Sequence, residues 1–537
     1  MSLPSSLRLP GRVRWLLLSA GLLGLAHPPF HLLIPSFIAL IPFGVWLGGL
    51  SSDAQSRREA LRGGYFLGLL YFTLVFYWLF TALVFYTWLA LLAFVAPVLI
   101  MSGFLSIAAL GTHTVRTRLG WPLWVGLPVF WTAMEWLRAH LGDVEFPWMG
   151  LGDTLTGFPW LIGAADLVGS RGLTLWLVLV NALLAEAILA LRQRHVSGAS
   201  ARSRAWRLSL AALVVTAIPA AYSLQRWRSL ETRVVAQVAV LQPNIPEDLK
   251  LHQTLASDSA RAAIEWLVEN RLSHDTATDL VLLPETVFPE HVDSIPSRGY
   301  PGKPRLLAWA AALSARMDAP VLFGALGADD RGNGEYDYYN SAFLVDSSGT
   351  VHRRYDKRML VPIVERVPFV NPEWFRNVPF FGGFAVGGAA EPIMLDDSSF
   401  GVLICYESIF TQHSRSMRRE GAEFLVNITN DAWFGRAEPW WSRSSALSQH
   451  PAHLVMRAIE NRVGIARAAN TGVSGAVDAR GRWQERTELF VADARMVQIE
   501  TTDGLTVYAR FGDVAGWFAA LLALLGSMLA GVRARSD

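Results

Sequence analysis

Long apolar runs crowd the first 223 residues and return once at the end; between them, short apolar runs alternate with amphipathic stretches. Seven runs, near 13–29, 31–50, 63–84, 87–112, 119–141, 171–191 and 206–223, mostly approach the ~20 apolar residues that cross a hydrocarbon core of ~30 Å. An eighth covers 514–532. The first is short and follows Arg8, Arg12 and Arg14, in the manner of a signal peptide. Because a second run follows almost at once, it reads as a retained helix. The pattern predicts a polytopic α-helical membrane domain of seven transmembrane helices over 1–223, and an eighth helix with a short tail over 511–537.

Residues 224–510 have a different rhythm. Apolar, β-branched runs at 234–242, 279–285, 319–327, 400–407 and 422–430 read as buried strands, and helical stretches at 255–272, 303–317 and 444–462 fall between several of them. Alternation of this kind predicts an α/β domain, a sheet covered by helices.

Arginine placement orients the chain. The N-terminal tail carries Arg8, Arg12 and Arg14, the 51–62 loop Arg57, Arg58 and Arg62, the 113–118 loop Arg116 and Arg118, and the 192–207 loop five more. The alternate connections at 28–30, 85–86 and 142–170 carry no Lys or Arg. Both termini are therefore expected in the cytoplasm and 224–510 on the opposite side. Arg226, Arg228 and Arg233 depart from the rule, which a large translocated domain tolerates. Inside the apolar segments stand Glu135, Arg138 and Glu186. Arg138 is near enough to a segment end to snorkel, and Glu135 is placed to hold its segment against the 142–170 connection.

Composition narrows the chemistry. The chain is 52% hydrophobic and 17% charged, against about 25% charged in soluble domains. A net charge of +2 gives no reason to expect nucleic acid as a partner. Cys405 is the one cysteine, so there is neither an intrachain disulfide nor a CxxC or paired Cys/His spacing for a metal. By itself, a cysteine in the apolar run "FGVLICYESIF" is ordinarily a small buried hydrophobe.

Three apolar or charged runs end in groups of another kind. "LLPETVFPE" carries Glu285, "HRRYDKRMLVPIVERVPF" carries Lys357 and Glu365, and "LICYES" carries Cys405. Such residues gather at strand ends in α/β sheets. Together they suffice for acyl transfer. A thiol with a pKa near 8.5 is only a few per cent thiolate at neutral pH, so a carboxylate must take its proton. A lysine cation then stabilises thiolate and oxyanion. Each also has a plainer reading: Glu285 as a helix cap, Lys357 in a solvated charge run, Glu365 paired with Arg366 or Arg358.

The order Glu, Lys, Cys, with "LPET", "YDKRMLVP", "CYE" and "NDAWFG", resembles the nitrilase (carbon–nitrogen hydrolase) superfamily over roughly 235–500, which implies an α-β-β-α sandwich. With "MEWLRAHLG" (134–142), "EFPWMGLG" (145–152), "YYNSAFLVD" (338–346) and "ANTGVSG" (469–475), nearly the whole chain resembles the apolipoprotein N-acyltransferase family of the bacterial inner membrane. That resemblance implies a multi-pass protein whose catalytic domain faces the periplasm. The Cys405 thiol takes an acyl chain from a phospholipid, phosphatidylethanolamine by the family's habit, and passes it to the α-amino group of a diacylglyceryl apolipoprotein. No cofactor is implied. Glu285 corresponds to the base, Lys357 to the oxyanion cation and Cys405 to the nucleophile, with Glu365, Tyr406 and Glu407 in support. Trp433, Phe434 and Asn340 fall at substrate-binding positions. In "NPEWFRNVPFFGGFAVGG" (371–388), Trp374, Phe380 and Phe381 suit an apolar arm on the membrane surface. Leu251 stands where the family carries an aromatic. A membrane-anchored amidase using the same three residues with water as acceptor is the alternative.

Overall fold

The computed structural model describes residues 11–85, 88–192, 198–272, 277–293, 304–332, 335–362, 364–366 and 383–536. The chain divides into two compact units, Met1–Ser229 with Phe511–Asp537, and Leu230–Arg510.

In the first unit, four helices among the described residues are long and apolar enough to cross a membrane: Ala90–Leu119, Ala165–Arg192, Ala199–Ser229 and Val514–Ala534. The other expected segments are built differently. Gly11–Ala26 and Leu123–Leu137 are shorter, and the 63–84 run is carried by Ala54–Phe76 and Trp78–Leu83. The 31–50 run is not one helix but two, Leu33–Ile38 and Ile41–Gly48. Pro42 stands in the first turn of the second of these and has no N–H to continue the ladder. Neighbouring side chains take over the exposed backbone. Asn181 accepts from Leu40 N at 2.8 Å and donates to Ser36 O at 3.1 Å, and Ser19 Oγ accepts from Phe43 N at 2.9 Å. Within hydrocarbon such groups must be satisfied internally.

The same rule explains the three charges. Glu135 accepts from Trp131 Nε1 at 3.0 Å, Leu151 N at 2.9 Å and Thr174 Oγ1 at 2.8 Å, so it does tie its helix to the 142–170 connection. Arg138 does not snorkel. It is buried and donates to the carbonyls of Trp148 and Met149, at 3.1 and 2.9 Å. Glu186 receives Leu123 N and Arg204 NH2, each at 2.8 Å.

Among the described residues, the second unit contains two mixed six-stranded sheets. The strands are β1 (Arg233–Gln242), β2 (Leu280–Leu282), β3 (Val321–Asp330), β4 (Tyr336–Val345), β5 (Val351–Asp356), β6 (Ile393–Met394), β7 (Ser399–Ile404), β8 (Phe424–Thr429), β9 (Ile465–Ala469), β10 (Gly475–Val477), β11 (Trp483–Gln484) and β12 (Asp493–Thr501). One sheet has the order β12-β1-β2-β3-β4-β5 and the other β11-β10-β9-β8-β7-β6. Each has three parallel central strands, β1-β2-β3 and β7-β8-β9, flanked by antiparallel ones. Helices α1 (Gln253–Arg271) and α2 (Pro304–Met317) pack on the first sheet, and α3 (Thr411–Arg419) and α4 (Ala446–Asn461) pack against the second.

Every residue of β7, β8 and β9 is buried, as expected of strands covered on both faces. Val281, Leu283, Phe288, Phe323 and Phe343 join Ile264, Leu267, Leu306 and Ala310 in one core. Burial of each such large side chain stabilises the fold by about 1.5–3 kcal/mol. For the site, the consequence is that Glu285 and Cys405 leave the ends of fully buried strands, β2 and β7.

Candidate active site

Glu285 emerges three residues after β2. The backbone there is tight: Thr286 has φ +40°, and Gly324 of β3 donates its N–H to Pro284 O at 3.1 Å. A Cβ at Gly324 would lie 2.6 Å from Glu285 Cα, so that position requires glycine. Lys357 directly follows β5, with its N–H on Asn340 O of β4 at 2.9 Å. Cys405 follows β7 and adopts φ +50°, a left-handed conformation sparsely populated by residues with a Cβ. It opens the 3-10 turn Cys405–Ile409 and stands at the end of the strand instead of continuing it.

Glu407 holds that strained corner. Fully buried, it accepts from Ile404 N at 2.7 Å with one oxygen. The other oxygen accepts from Arg358 N at 2.7 Å and Tyr355 OH at 2.9 Å. One carboxylate therefore fastens the residue before Cys405 to the residue after Lys357. Burial pushes the Glu407 carboxyl up, but His413 and these N–H groups more than offset it and hold it below the usual range.

The charged groups converge on Lys357, which is 1% exposed. Its Nζ donates to Glu285 Oε1 at 3.1 Å and to Glu365 Oε1 at 2.9 Å. Asn340 Nδ2 donates to the same two oxygens, at 2.8 and 3.0 Å. Glu285 Oε2 takes Asn430 N at 2.9 Å, and Glu365 Oε2 takes Val361 N at 2.8 Å. Two carboxylates around one ammonium leave the trio with a charge of about −1.

These contacts decide the resting protonation. Burial raises Glu285, but Lys357, Asn340 and the Asn430 N–H together hold its carboxyl below the ordinary range. Burial lowers Lys357, and the carboxylates of Glu285 and Glu365 push it well above its ordinary value. Burial raises the Cys405 thiol strongly, the Glu285 carboxylate adds to the rise, and Lys357 opposes both. At neutral pH the site thus holds a carboxylate, an ammonium and a protonated thiol. A thiol that needs a base, as the sequence led one to expect, is held still further from ionisation by burial and by Glu285.

Behind the sulfur lies a polar network with no exposed member. Asp431 Oδ1 receives Thr429 Oγ1 at 3.0 Å and faces His450 Nδ1 at 3.0 Å, while Oδ2 receives Arg467 NH2 at 2.6 Å. His450 Nε2 and Ser408 Oγ both reach the Cys405 carbonyl, at 3.1 and 2.8 Å. Burial pushes Asp431 up, and Arg467 and His450 overcome it, holding its carboxyl far below the usual range. Gly472 allows this approach, since a Cβ there would collide with Asp431 Oδ2.

Glu285, Lys357, Glu365 and Asn340 are therefore brought into direct contact, with Cys405 close enough to feel the charges of the first two. The amide nitrogen of Asn340 is committed to the two carboxylates. Tyr406 is buried with its ring edge-on to Phe410, centroids 5.0 Å apart. Phe434 meets the His450 ring edge-on at 5.4 Å, and Trp433 is half-buried. Trp374, Phe380 and Phe381, and with them most of the 371–388 segment, lie outside the described residues. Thr429, His450 and Arg467 were not singled out from sequence. Their signal was faint: polar residues in a strand and helix otherwise patterned for the interior.

Comparison with known proteins agrees with this architecture. Residues 19–183 match the apolipoprotein N-acyltransferase N-terminal domain, and residues 237–501 match the carbon-nitrogen hydrolase domain. The apolipoprotein N-acyltransferase of Geobacter metallireducens is 30% identical over 93% of this chain and 91% of its own length. That of Ralstonia nicotianae is 30% identical over 96% of this chain and 94% of its own. That of Bordetella bronchiseptica is 29% identical over 90% and 89%. With a helical unit and a carbon-nitrogen hydrolase unit matched together along nearly its full length, this chain belongs to the apolipoprotein N-acyltransferase family.

Proposed function

We propose that this chain transfers an acyl chain from a phospholipid to the N-terminal α-amino group of diacylglyceryl-cysteine apolipoproteins, through a thioester on Cys405. The observation that carries the mechanism is the buried contact of Lys357 with both Glu285 and Glu365 beside a protonated thiol. Glu285 is ionised and takes the Cys405 proton as the sulfur attacks the donor's ester carbonyl. Two of the three Lys357 hydrogens serve the carboxylates, and the third is directed to the tetrahedral oxyanion. Collapse expels the glycerol oxygen, which leaves with the proton from Glu285 as a lysophospholipid. The acceptor amine then attacks the thioester, gives its proton to Glu285, and displaces the Cys405 thiolate, which recovers that proton. Glu365 and Asn340 keep Lys357 and Glu285 in register. The two half-reactions make the cycle ping-pong.

An α-amino group with a pKa near 7.7–8.0 keeps an appreciable neutral fraction at pH 7, so the second step needs mainly positioning and exclusion of water. The arginine asymmetry supports eight membrane segments, cytoplasmic termini and a periplasmic catalytic domain in the bacterial inner membrane. The membrane part is assigned to 1–223 and 511–537, and the catalytic domain to 224–510. Phosphatidylethanolamine is the proposed donor, and the apolar residues of 371–388 the proposed lipid-facing arm.

The deciding experiment incubates the purified protein with phospholipid alone and measures intact mass. One added acyl chain at Cys405, lost on addition of a diacylglyceryl lipopeptide that becomes N-acylated, is the expected result. Free fatty acid with neither adduct nor transfer would establish the membrane-anchored hydrolase instead.

A further inference from the structure

Strands β7 and β8 run parallel with Ile404 opposite Ile428, and Cys405 and Thr429 are the next residues along the two chains. Thr429 is fully buried, and its hydroxyl donates to Asp431 Oδ1 at 3.0 Å. The same hydroxyl opposes the rise that burial imposes on the Cys405 thiol. A threonine has one hydrogen and two lone pairs. With its hydrogen on Asp431, its oxygen is free to accept from the thiol. The Asp431 oxygen has another neighbour, His450 Nδ1 at 3.0 Å, and the opposite oxygen is held by Arg467 at 2.6 Å. Asp431 keeps its Arg467 partner when it releases the threonine hydrogen.

The sulfur's needs change during the reaction. At rest it is a thiol and a donor; once Glu285 has its proton it is an acceptor in a site shielded from water. The Lys357 charge acts on it, but its ammonium is shared with two carboxylates.

We propose that Thr429 is a catalytic residue whose hydroxyl turns from Asp431 to the Cys405 sulfur as the thiolate forms. No proton leaves Thr429. Its O–H rotates, the thiol proton goes to Glu285, and the hydrogen returns to Asp431 when acylation discharges the sulfur. Glu285, Lys357 and Asp431 are the charged groups that act on the thiol, with the Thr429 hydroxyl beside them, and His450 and Ser408 address the Cys405 carbonyl. The inference rests on Cys405 being the acyl carrier.

The test compares wild type, Thr429→Val and Thr429→Ser in detergent, by iodoacetamide labelling of Cys405 across pH and by acylation from phosphatidylethanolamine. T429V should label along a curve displaced upward by about one pH unit and acylate about tenfold more slowly, with donor KM within about twofold. T429S should restore both. A T429V protein with the wild-type labelling curve and rate overturns the inference, as does a T429S protein as impaired as T429V. Should T429V fail to fold, Thr429→Ala against T429S makes the same comparison. If of these only the serine variant folds, the hydroxyl serves packing and the inference falls. A wild-type protein that forms no acyl adduct removes the thioester reading and this inference together. A wild-type adduct matched by T429V removes this inference alone.

Discussion

Lys357 Nζ lies 3.1 Å from Glu285 Oε1, and neither side chain is more than 7% exposed. A buried ion pair of this kind adds little net stability while intact, but removing one partner strands the other. Lys357→Met should leave Glu285 and Glu365 facing each other across Asn340. The expected cost is about 3–5 kcal/mol in unfolding free energy, and acyl transfer should fall at least ~10²-fold. Thermal unfolding and a lipopeptide acylation assay measure the two. A near-wild-type rate in that variant would return Lys357 to the role of an ordinary charge in a basic run.

Cys405→Ser should abolish transfer, by at least ~10³-fold, because a hydroxyl beside the same carboxylate is a far weaker nucleophile. The fold should survive, since the substitution is nearly isosteric. Intact-mass spectrometry after incubation with phospholipid should show no acylated form. Full activity in this variant would rule out the thioester.

Stability should depend on pH in opposite senses at the two ends of the range. Glu285, Glu407 and Asp431 have folded pKa values below their unfolded ones. Their contribution is present above about pH 4.3, the unfolded range of such carboxyls, and is lost as acid protonates the folded groups. Cys405 is raised in the folded state, so the unfolded chain loses that proton first. Above about pH 8.5 stability should fall with a limiting slope of about 1.4 kcal/mol per pH unit. Lys357, also raised, contributes fully below about pH 10.4 and loses that contribution at higher pH. Melting temperature against pH for wild type and Cys405→Ala is the measurement: the variant should lack the fall that starts near pH 8.5 and keep the acid limb. An unchanged alkaline limb would mean the thiol is not held protonated.

Glu407→Gln keeps the shape but removes the charge that accepts from Ile404 N, Arg358 N and Tyr355 OH. Hydrogen bonds to a charged group contribute about 1.5–3 kcal/mol each. The variant should lose about 2 kcal/mol of stability. It should acylate about tenfold more slowly with KM little changed, because the corner bearing Cys405 relaxes while the lipid site does not. A change confined to KM would show that Glu407 serves binding instead.

Much of this protein is written in local sequence. Twenty-residue apolar runs need no partner to declare a preference for hydrocarbon, although the 31–50 run shows the limit. Its division into Leu33–Ile38 and Ile41–Gly48 depends on Pro42 and on Asn181, a residue 141 positions from Leu40. Strands β7 and β8, and the buried stretches of β1 and β3, were legible because burial on both faces demands continuous apolar residues. The short strand β2 carries the same signal. Glu285, Lys357 and Cys405 were legible as chemically odd residues at the ends of such runs.

Their joint action was not. Lys357 and Glu285 are 72 residues apart in sequence, and only the order β2-β3-β4-β5 brings them to hydrogen-bond distance. Arg138, read along the chain as a residue able to reach water, is turned inward by two carbonyls it could not have announced. The sequence by itself determined the two kinds of unit, the reactive residue types and the strand ends that bear them, because apolar periodicity and side-chain chemistry are local. The tertiary structure alone decided which charges meet, that burial and Glu285 raise the thiol above its ordinary value, and that Asp431, His450 and Thr429 stand behind it. Those properties depend on burial and on distances of about 3 Å between residues far apart in the chain, which packing sets and no window of sequence contains.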